Sequence, residues 1–255
     1  MPTVLLPTRL KKDPLVDAVF EIRFSSAIPA SSVIPGILFA KLKGHPQIER
    51  LPASDIPAQI RALNPALQSQ PLMRMHWKNS FLVLIGDVSL GLGCKMPYPG
   101  WSSFKSHIQE LATLLNESQF IEQIERYSLK YVGVVDGNDL TEQIARIKID
   151  LKIGEYALKA EPFTVRIEMQ RESFLYIVHL AAPTTATMFD GKQRTGLLID
   201  IDGLREHKTT NLTGFLGELP DRLEVMHTRN KELFFGLLTD QTLAYLEPSY
   251  EPVSG

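Results

Sequence analysis

Hydrophobic and polar positions follow the same order of patterns in both halves of the chain: strand, helix, three strands, long helix. Residues 18–24 alternate strictly, with four apolar side chains on one face and Glu21 and Arg23 on the other. Alternation with a period of two is typical of a strand that has one face buried. We therefore predict a half-buried strand at the start of the first half.

The rest of the first half predicts one short helix, three strands and a long helix. The short helix is expected over residues 32–43, with Gly44 as its stop signal. The strands are expected over residues 72–77, 81–85 and 89–96, and the long helix begins at Ser102 or Ser103. Residues 44–71 contain five prolines and predict an ordered excursion over the surface.

The second half repeats this order. Residues 128–135 alternate as a strand, and Asp139 with Glu142 forms an N-cap pattern for a helix that ends near residues 146–148. Residues 147–153 fit both helical and strand spacing, so the boundary here stays open. Three strands are predicted over residues 163–170, 174–181 and 196–204. A long helix follows from about residue 219 to 238, with Pro220 near its first position.

The two halves share patterns rather than residues, which indicates an internal duplication with pseudo-repeats over approximately residues 14–118 and 124–240. The predicted fold is α+β: one large, mostly antiparallel, curved sheet of about eight strands, with the long helices packed on one face. Saddle-shaped and helix-grip folds have this layout. We expect a single domain over residues 1–255, because no linker-like segment interrupts residues 116–125.

Composition excludes several classes of protein. Hydrophobic residues make up 44% of the chain and charged residues 22%, as in ordinary globular proteins. The 27 basic and 29 acidic residues give no global field that would favour nucleic acid. No apolar run approaches the roughly 20 residues that span a bilayer, so we expect no membrane partner and a cytoplasmic location. The single cysteine, Cys94, excludes an internal disulfide and is expected to be an inert buried thiol.

The sharpest catalytic candidates are Asp200 and Asp202. Carboxylates two apart on a strand point to the same side, as metal-dependent phosphoryl transfer requires. The more common alternative is a solvated strand face, because no phosphate-binding glycine-rich loop and no third acidic ligand accompany the pair. None of the six histidines has a partner at the four-residue spacing of a helical zinc site, and His179 is expected to be an interior or interface histidine. We expect neither a metal nor a cofactor.

Several other side chains are candidates for a binding face. The strand charges could form a cross-strand ladder on the open face of the sheet, either as a polar binding surface or as an ordinary solvated face: Glu21, Arg23, Lys130, Arg166 and Glu168. We predict that Glu21 and Arg23 each find an opposite charge on an adjacent strand, with the other three as candidate partners. Tyr98 and Trp101 flank Pro99-Gly100, where they either staple the helix start to the sheet or line a pocket mouth.

The segment Pro14-Leu15-Val16-Asp17-Ala18-Val19-Phe20-Glu21-Ile22-Arg23-Phe24 resembles the opening signature of a sporadically distributed prokaryotic family of uncharacterised proteins. Residues 98–104, 126–131 and 227–235 are similar to later landmarks of that family, in the same order. Members tend to carry an asparagine after the second of these, where this chain has Val132-Gly133. The resemblance implies a common fold and no catalytic residues.

Two functions follow as hypotheses. The first is a non-enzymatic binding or interaction module that uses its sheet face or edges to hold a protein or a small molecule, with the edges also offering a route to a homodimer. The alternative is a metal-dependent enzyme that acts on a phosphate-bearing small molecule through Asp200 and Asp202.

Overall fold

The computed structural model describes residues 6–42, 47–188 and 190–250. Within these ranges the chain is α+β, and no helix combines the length and the apolar character needed to cross a membrane. The elements up to residue 117 are, in chain order, β1 (Arg9–Leu10), β2 (Leu15–Ser26), α1 (Ala30–Lys41), β3 (Ile48–Arg50), a 3₁₀ helix (Pro52–Asp55), α2 (Ala58–Leu63), α3 (Pro65–Gln68), β4 (Met73–Trp77), β5 (Phe81–Ile85), β6 (Ser89–Cys94) and α4 (Trp101–Glu117).

The later elements again run strand, helix, three strands and long helix, but with a small hairpin where the first half has β3 and three short helices, and with a short helix and strand added at the end. They are β7 (Ile121–Asp136), α5 (Leu140–Ala145), β8 (Lys152–Ile153), β9 (Tyr156–Ala157), β10 (Phe163–Arg171), β11 (Phe174–Thr187), β12 (Gln193–Thr209), α6 (Leu212–Leu237), α7 (Asp240–Tyr245) and β13 (Pro248–Ser249).

Nine of the strands form one antiparallel sheet in the order β10-β11-β12-β7-β2-β6-β5-β4-β3. From the central β7–β2 pair outwards, β12, β11 and β10 follow on one side, and β6, β5 and β4 follow on the other. The predicted α+β fold with a large antiparallel sheet is confirmed. The ninth strand, β3, comes from the proline-rich stretch that we expected to be irregular. It pairs with β4 at the sheet edge.

The chain divides into two compact units. The first-half unit comprises residues 18–129 and 204–225, and the second-half unit comprises residues 6–17, 130–203 and 226–250. Four elements, β2, β7, β12 and α6, contribute residues to both units. The expectation of a single domain stays a prediction.

In the first-half unit, helix α4 covers one face of the strands. Its predicted apolar stripe is buried, and the ring of Phe104 stacks on Phe81 of β5 with centroids 6.3 Å apart. The ring of His107 stacks on the same Phe81 at 4.3 Å. The space left between strands and helices beside Ile22 and Phe215 is only about 10 Å³. This interior is therefore packed, because a void of that size holds at most one water molecule.

In the second-half unit, α6 lies against one face of β7 and β12. The hydroxyl of Tyr131 lies 3.1 Å from Nδ1 of His227. Gly203 permits a close approach, because a Cβ there would lie 2.7 Å from Cε1 of Tyr176, a fully buried ring. Residues at alternate positions point away from α6, and they form the open face of this unit.

Four elements, α6 and three strands, have boundaries that differ from the sequence-based predictions for physical reasons. Helix α6 begins at Leu212 rather than near residue 219, because Asn211 Oδ1 accepts the backbone N–H of Gly214 and caps an earlier start. Pro220 consequently lies inside the helix. Strands β7, β11 and β12 are longer than predicted. Pairing with a long neighbouring strand keeps the backbone extended at positions where the apolar and polar residues no longer alternate. Gly44 lies outside the described residues, and Cys94 is buried as predicted.

Candidate functional site

The open face of the second-half unit contains a concave cleft of about 250 Å³. We call it the sheet-face cleft and define it by its lining residues: Lys130 on β7, Arg166 on β10, Ile177 and His179 on β11, and Asp200 and Asp202 on β12. Strand alternation explains why these side chains share one face. Arg166 is the direct cross-strand partner of His179, and side chains of such partners lie on the same side of a sheet.

The centre of the cleft is an ion pair between neighbouring strands. Lys130 Nζ lies 2.8 Å from Asp200 Oδ2, and the two side chains are 38% and 17% exposed. Burial disfavours the charged ammonium and lowers the pKa of Lys130. The hydrogen bond and charge of Asp200, together with the charges of Asp202 and Asp17, raise the pKa by more than burial lowers it. The pKa of Lys130 is therefore raised above its ordinary value. Lys130 stays protonated at neutral pH although it is partly desolvated.

The rim of the cleft towards the sheet edge carries a second set of polar contacts. Arg166 Nη1 forms an ion pair with Glu168 Oε1 at 2.5 Å, along the same strand. Thr164 Oγ1 lies 2.9 Å from His179 Nε2 across the β10–β11 ladder. Ile177 supplies an apolar patch on the floor. The rim therefore combines a guanidinium, a carboxylate, an imidazole and a hydroxyl around a small apolar surface.

This arrangement favours ligands that carry both signs of charge. Lys130 and Arg166 can bind an anionic group, and Asp200 and Asp202 can bind a cationic one. Chemistry with a bound metal has less geometric support, because the Lys130 ammonium lies against Asp200. Across the described part of the chain, no three His, Cys, Asp or Glu side chains are grouped so that they could hold a metal ion.

The structure places Glu21 and Arg23 in a separate cluster in the first-half unit. Phe20 and Ile22 are buried, so both charges lie on the face opposite the core, as alternation predicts. Arg23 Nε donates to Glu21 Oε1 at 2.5 Å on the same strand, and Arg126 Nη2 of β7 reaches the same oxygen at 3.5 Å. The predicted partners were wrong. A partner two residues along the strand satisfies Arg23, and Arg126 provides the cross-strand cation for Glu21.

Lys130 and Glu168, two of the predicted partners of Glu21 and Arg23, are paired within the second-half unit, as is Arg166. Of the seven candidate binding-face residues, Lys130 and Arg166 line the sheet-face cleft, and Glu168 pairs with Arg166 beside it.

Tyr98 and Trp101 do not line the sheet-face cleft. Trp101 Nε1 donates to Glu224 Oε2 at 3.0 Å, and Lys105 binds the other oxygen of the same carboxylate at 2.7 Å. The rings of Tyr98 and Trp101 each meet Phe104 edge-on, at 6.1 and 6.3 Å. These contacts hold the first turn of α4 against α6 within the first-half unit, whereas the predicted staple would fix it to the sheet.

Sequence reasoning missed His179, Ile177 and Asp17 as parts of this region. Alternation correctly puts Ile177 and His179 on one face, but it does not say that this face is the open one. Asp200 and Asp202 stood out only as a metal-binding candidate. The missing signal was the identity of the facing residue on β7, and only strand pairing supplies it.

Neither the protein-family models nor the curated proteins compared with this chain gave a match.

Proposed function

We propose that this protein is a binding protein whose ligand is a small zwitterionic molecule, held in the sheet-face cleft. The observation that carries the proposal is the cleft itself, in which three strands bring Lys130, Arg166, Asp200 and Asp202 around one space of about 250 Å³. Small-molecule sites are concave and combine apolar surface with a few convergent polar groups. The volume lies just below the usual range of about 300 to 1,000 Å³, which favours a small ligand.

The electrostatics of the cleft support a ligand with both charges. The lining carries two basic and two acidic side chains, so a purely anionic or purely cationic ligand would meet as much repulsion as attraction. A zwitterion can exchange the internal Lys130–Asp200 pair for two contacts of its own. Because that pair is already partly desolvated, new charge-assisted hydrogen bonds there are stronger than on a fully exposed surface.

The alternative is the metal-dependent enzyme that uses Asp200 and Asp202. It rests on the shared face of the two carboxylates. Metal binding would require Asp200 to release Lys130, and the ammonium would then lie beside the cation. We expect this like-charge repulsion to weaken binding.

The experiment is a titration followed by two-dimensional amide NMR. The probe is glycylglycine, which carries one ammonium and one carboxylate, and the single-charge probes are acetate and methylammonium. We expect glycylglycine to shift the amide signals around Lys130, His179 and Asp200, and to do so at lower concentration than either single-charge probe. Lys130→Gln and Asp200→Asn should each weaken the response about tenfold.

The matched control is Lys192→Gln, which removes a lysine from an exposed turn pair with Asp190 outside the cleft. It should leave the titration unchanged. Signals that do not move with glycylglycine, or that move equally in Lys130→Gln, would contradict the proposal. A parallel titration with Mg²⁺ addresses the alternative, because shifts at Asp200 and Asp202 that disappear in Asp200→Asn would favour the metal-dependent enzyme.

A further inference from the structure

The outer edge of the nine-stranded sheet is an unprotected strand in the second-half unit. Strand β10 pairs with β11 through nine consecutive residues and is the last strand of the sheet on that side. It contains no proline, and its register with β11 has no bulge. Natural proteins usually protect such an edge, because its outward N–H and C=O groups can pair with another strand.

The side chains of β10 are also incompletely covered. Ile167 is 48% exposed although it lies on the face that α6 covers further in, on β7 and β12. Arg166 and Glu168 are 55% and 49% exposed on the opposite face. A long, regular edge strand with an exposed isoleucine is able to pair with a strand of another chain.

The sequence of β10 is complementary to itself when it is paired antiparallel. We propose that two copies of the chain associate through their β10 edges, with Ile167 opposite Ile167 of the partner subunit. In that register Arg166 faces Glu168 of the partner subunit, and Glu168 faces Arg166 of the partner subunit. Val165 faces Met169 of the partner subunit, so the centre of one face is apolar, with Arg171 at its end opposite Phe163 of the partner subunit, and the two Arg166–Glu168 pairs lie on the other face.

The charges select this register over its neighbours. Directly opposite residues of an antiparallel pair point to the same face of the sheet. The register can therefore shift only so that the twofold axis passes from one residue of β10 to another, which keeps the apolar side chains of both copies on one face. A twofold axis at Arg166 would place that residue against its own copy, and an axis at Glu168 would do the same for the carboxylates. Both arrangements put like charges directly opposite each other, which is destabilising. Only the axis at Ile167 matches both charges.

The second copy would also change the sheet-face cleft. Arg166 lines the cleft, so Glu168 of the partner subunit would lie beside the rim on the same face.

The pairing does not depend on a ligand in the cleft. A nine-residue strand pair is small beside the roughly 800 Å² per partner of a stable interface, so the dimer is expected to be weak and concentration-dependent.

The experiment is sedimentation velocity over a concentration series from about 1 to about 500 µM, the range in which weak dimers dissociate. The wild-type chain should change from monomer to dimer. Arg166→Glu makes residues 166 and 168 both negative and Glu168→Arg makes them both positive, so each variant should dimerise at least about tenfold more weakly. An equimolar mixture of the two variants should form a heterodimer, and the double variant Arg166→Glu/Glu168→Arg should recover the homodimer.

The control is Glu155→Arg, which makes the same charge change at an exposed turn of the β8–β9 hairpin. It should dimerise like the wild type. The recovery in the mixture also shows that both single variants are folded. A wild-type chain that stays monomeric throughout, a Glu168→Arg variant that dimerises normally, or a mixture that does not associate would each overturn the proposal.

Discussion

Two clusters of charge on the polar side of the strands differ in a way that decides which one forms a site. In the first-half unit, Glu21 accepts from Arg23 on its own strand and from Arg126 on the next. In the second-half unit, Lys130 and Asp200 pair across strands, and Arg166, His179 and Asp202 surround them. The first cluster is compact. The second encloses a space of about 250 Å³.

The same sequence signal, charges alternating with apolar residues, produced both clusters. Glu21 and Arg23 are paired two residues apart on one strand, and their side chains are 22% and 31% exposed, so they form a part-buried ion pair. Lys130 lies among three carboxylates on neighbouring strands, which raise its pKa despite burial. Both clusters combine partners on the same strand and on a neighbouring strand, but the Lys130 cluster lines a cleft, so the arrangement of charges around a space, rather than their number, marks it as the candidate site.

The largest expected effect comes from removing the ammonium of the cleft. Lys130→Met leaves the Asp200 carboxylate, 17% exposed, without its cation and beside Asp202. We expect the free energy of unfolding at pH 7 to fall by about 2 kcal/mol, less than for a fully buried pair. Urea unfolding measures it. The double variant Lys130→Met/Asp200→Leu should recover much of the loss, because the uncompensated charge is gone, whereas Lys192→Met at an exposed pair should leave the free energy of unfolding nearly unchanged. A double variant less stable than Lys130→Met would contradict this account.

A smaller effect is expected in the Glu21 cluster. Replacing both Glu21 and Arg23 by threonine should change the free energy of unfolding by less than about 1 kcal/mol. Glu21→Thr alone should cost about 1 kcal/mol and more than the double change, because it leaves Arg23 and Arg126 side by side without a carboxylate. Urea unfolding at low and high salt measures both, since salt should reduce the difference. The double variant should also bind glycylglycine like the wild type. Loss of glycylglycine binding in the double variant would contradict the assignment of the binding site to the sheet-face cleft.

The smallest effect is a difference in pH dependence between the two units. In the first-half unit, His207 packs against Phe215 and Tyr127, and burial, assisted by Arg222 and Arg205, lowers its pKa despite the opposing charge of Glu218. The unfolded chain therefore binds a proton that the folded chain resists, and stability should fall as pH drops below about 6.5. In the second-half unit, the raised pKa of Lys130 gives stability that is present below about 10.5 and lost as pH rises through the folded value.

The measurement is the free energy of unfolding across both pH ranges for the wild type, His207→Phe and Lys130→Met. The phenylalanine keeps the ring contacts and removes the titration, so the acid slope should decrease in that variant alone. The alkaline slope should decrease only in Lys130→Met. Identical slopes in all three proteins would show that these two groups do not control the pH dependence.

Much of the fold was predictable, because local patterns carry it. The strict alternation around Phe20 predicts a half-buried strand, and the spacing of Phe104, Ile108 and Leu111 predicts the buried stripe of α4. The N-cap at Asp139 was also correct, since its side chain accepts the backbone N–H of Glu142. The start of α6 was not, because a proline at residue 220 suggested a helix start where the chain tolerates a proline inside a helix.

The candidate site was only half predictable. Lys130 and Arg166 were recognised as charges on an open face, while Asp200 and Asp202 were recognised for a different chemistry. Nothing local connects these residues, since 70 positions separate Lys130 from Asp200 along the chain. Strand order alone makes β7 and β12 neighbours and so turns two separate signals into one cleft.

The sequence by itself determined the main strands and long helices and the faces of the strands, because periodicity of two or 3.6 residues is a property of consecutive positions. Tertiary structure alone decided which charges meet, since pairing depends on register and on which strands become neighbours. Glu21 and Lys130 follow the same alternating pattern. Glu21 pairs with Arg23 and Arg126, whereas Lys130 lines the sheet-face cleft. The local pattern determines which face of the sheet a side chain lies on, and the neighbouring strands determine which side chains it contacts.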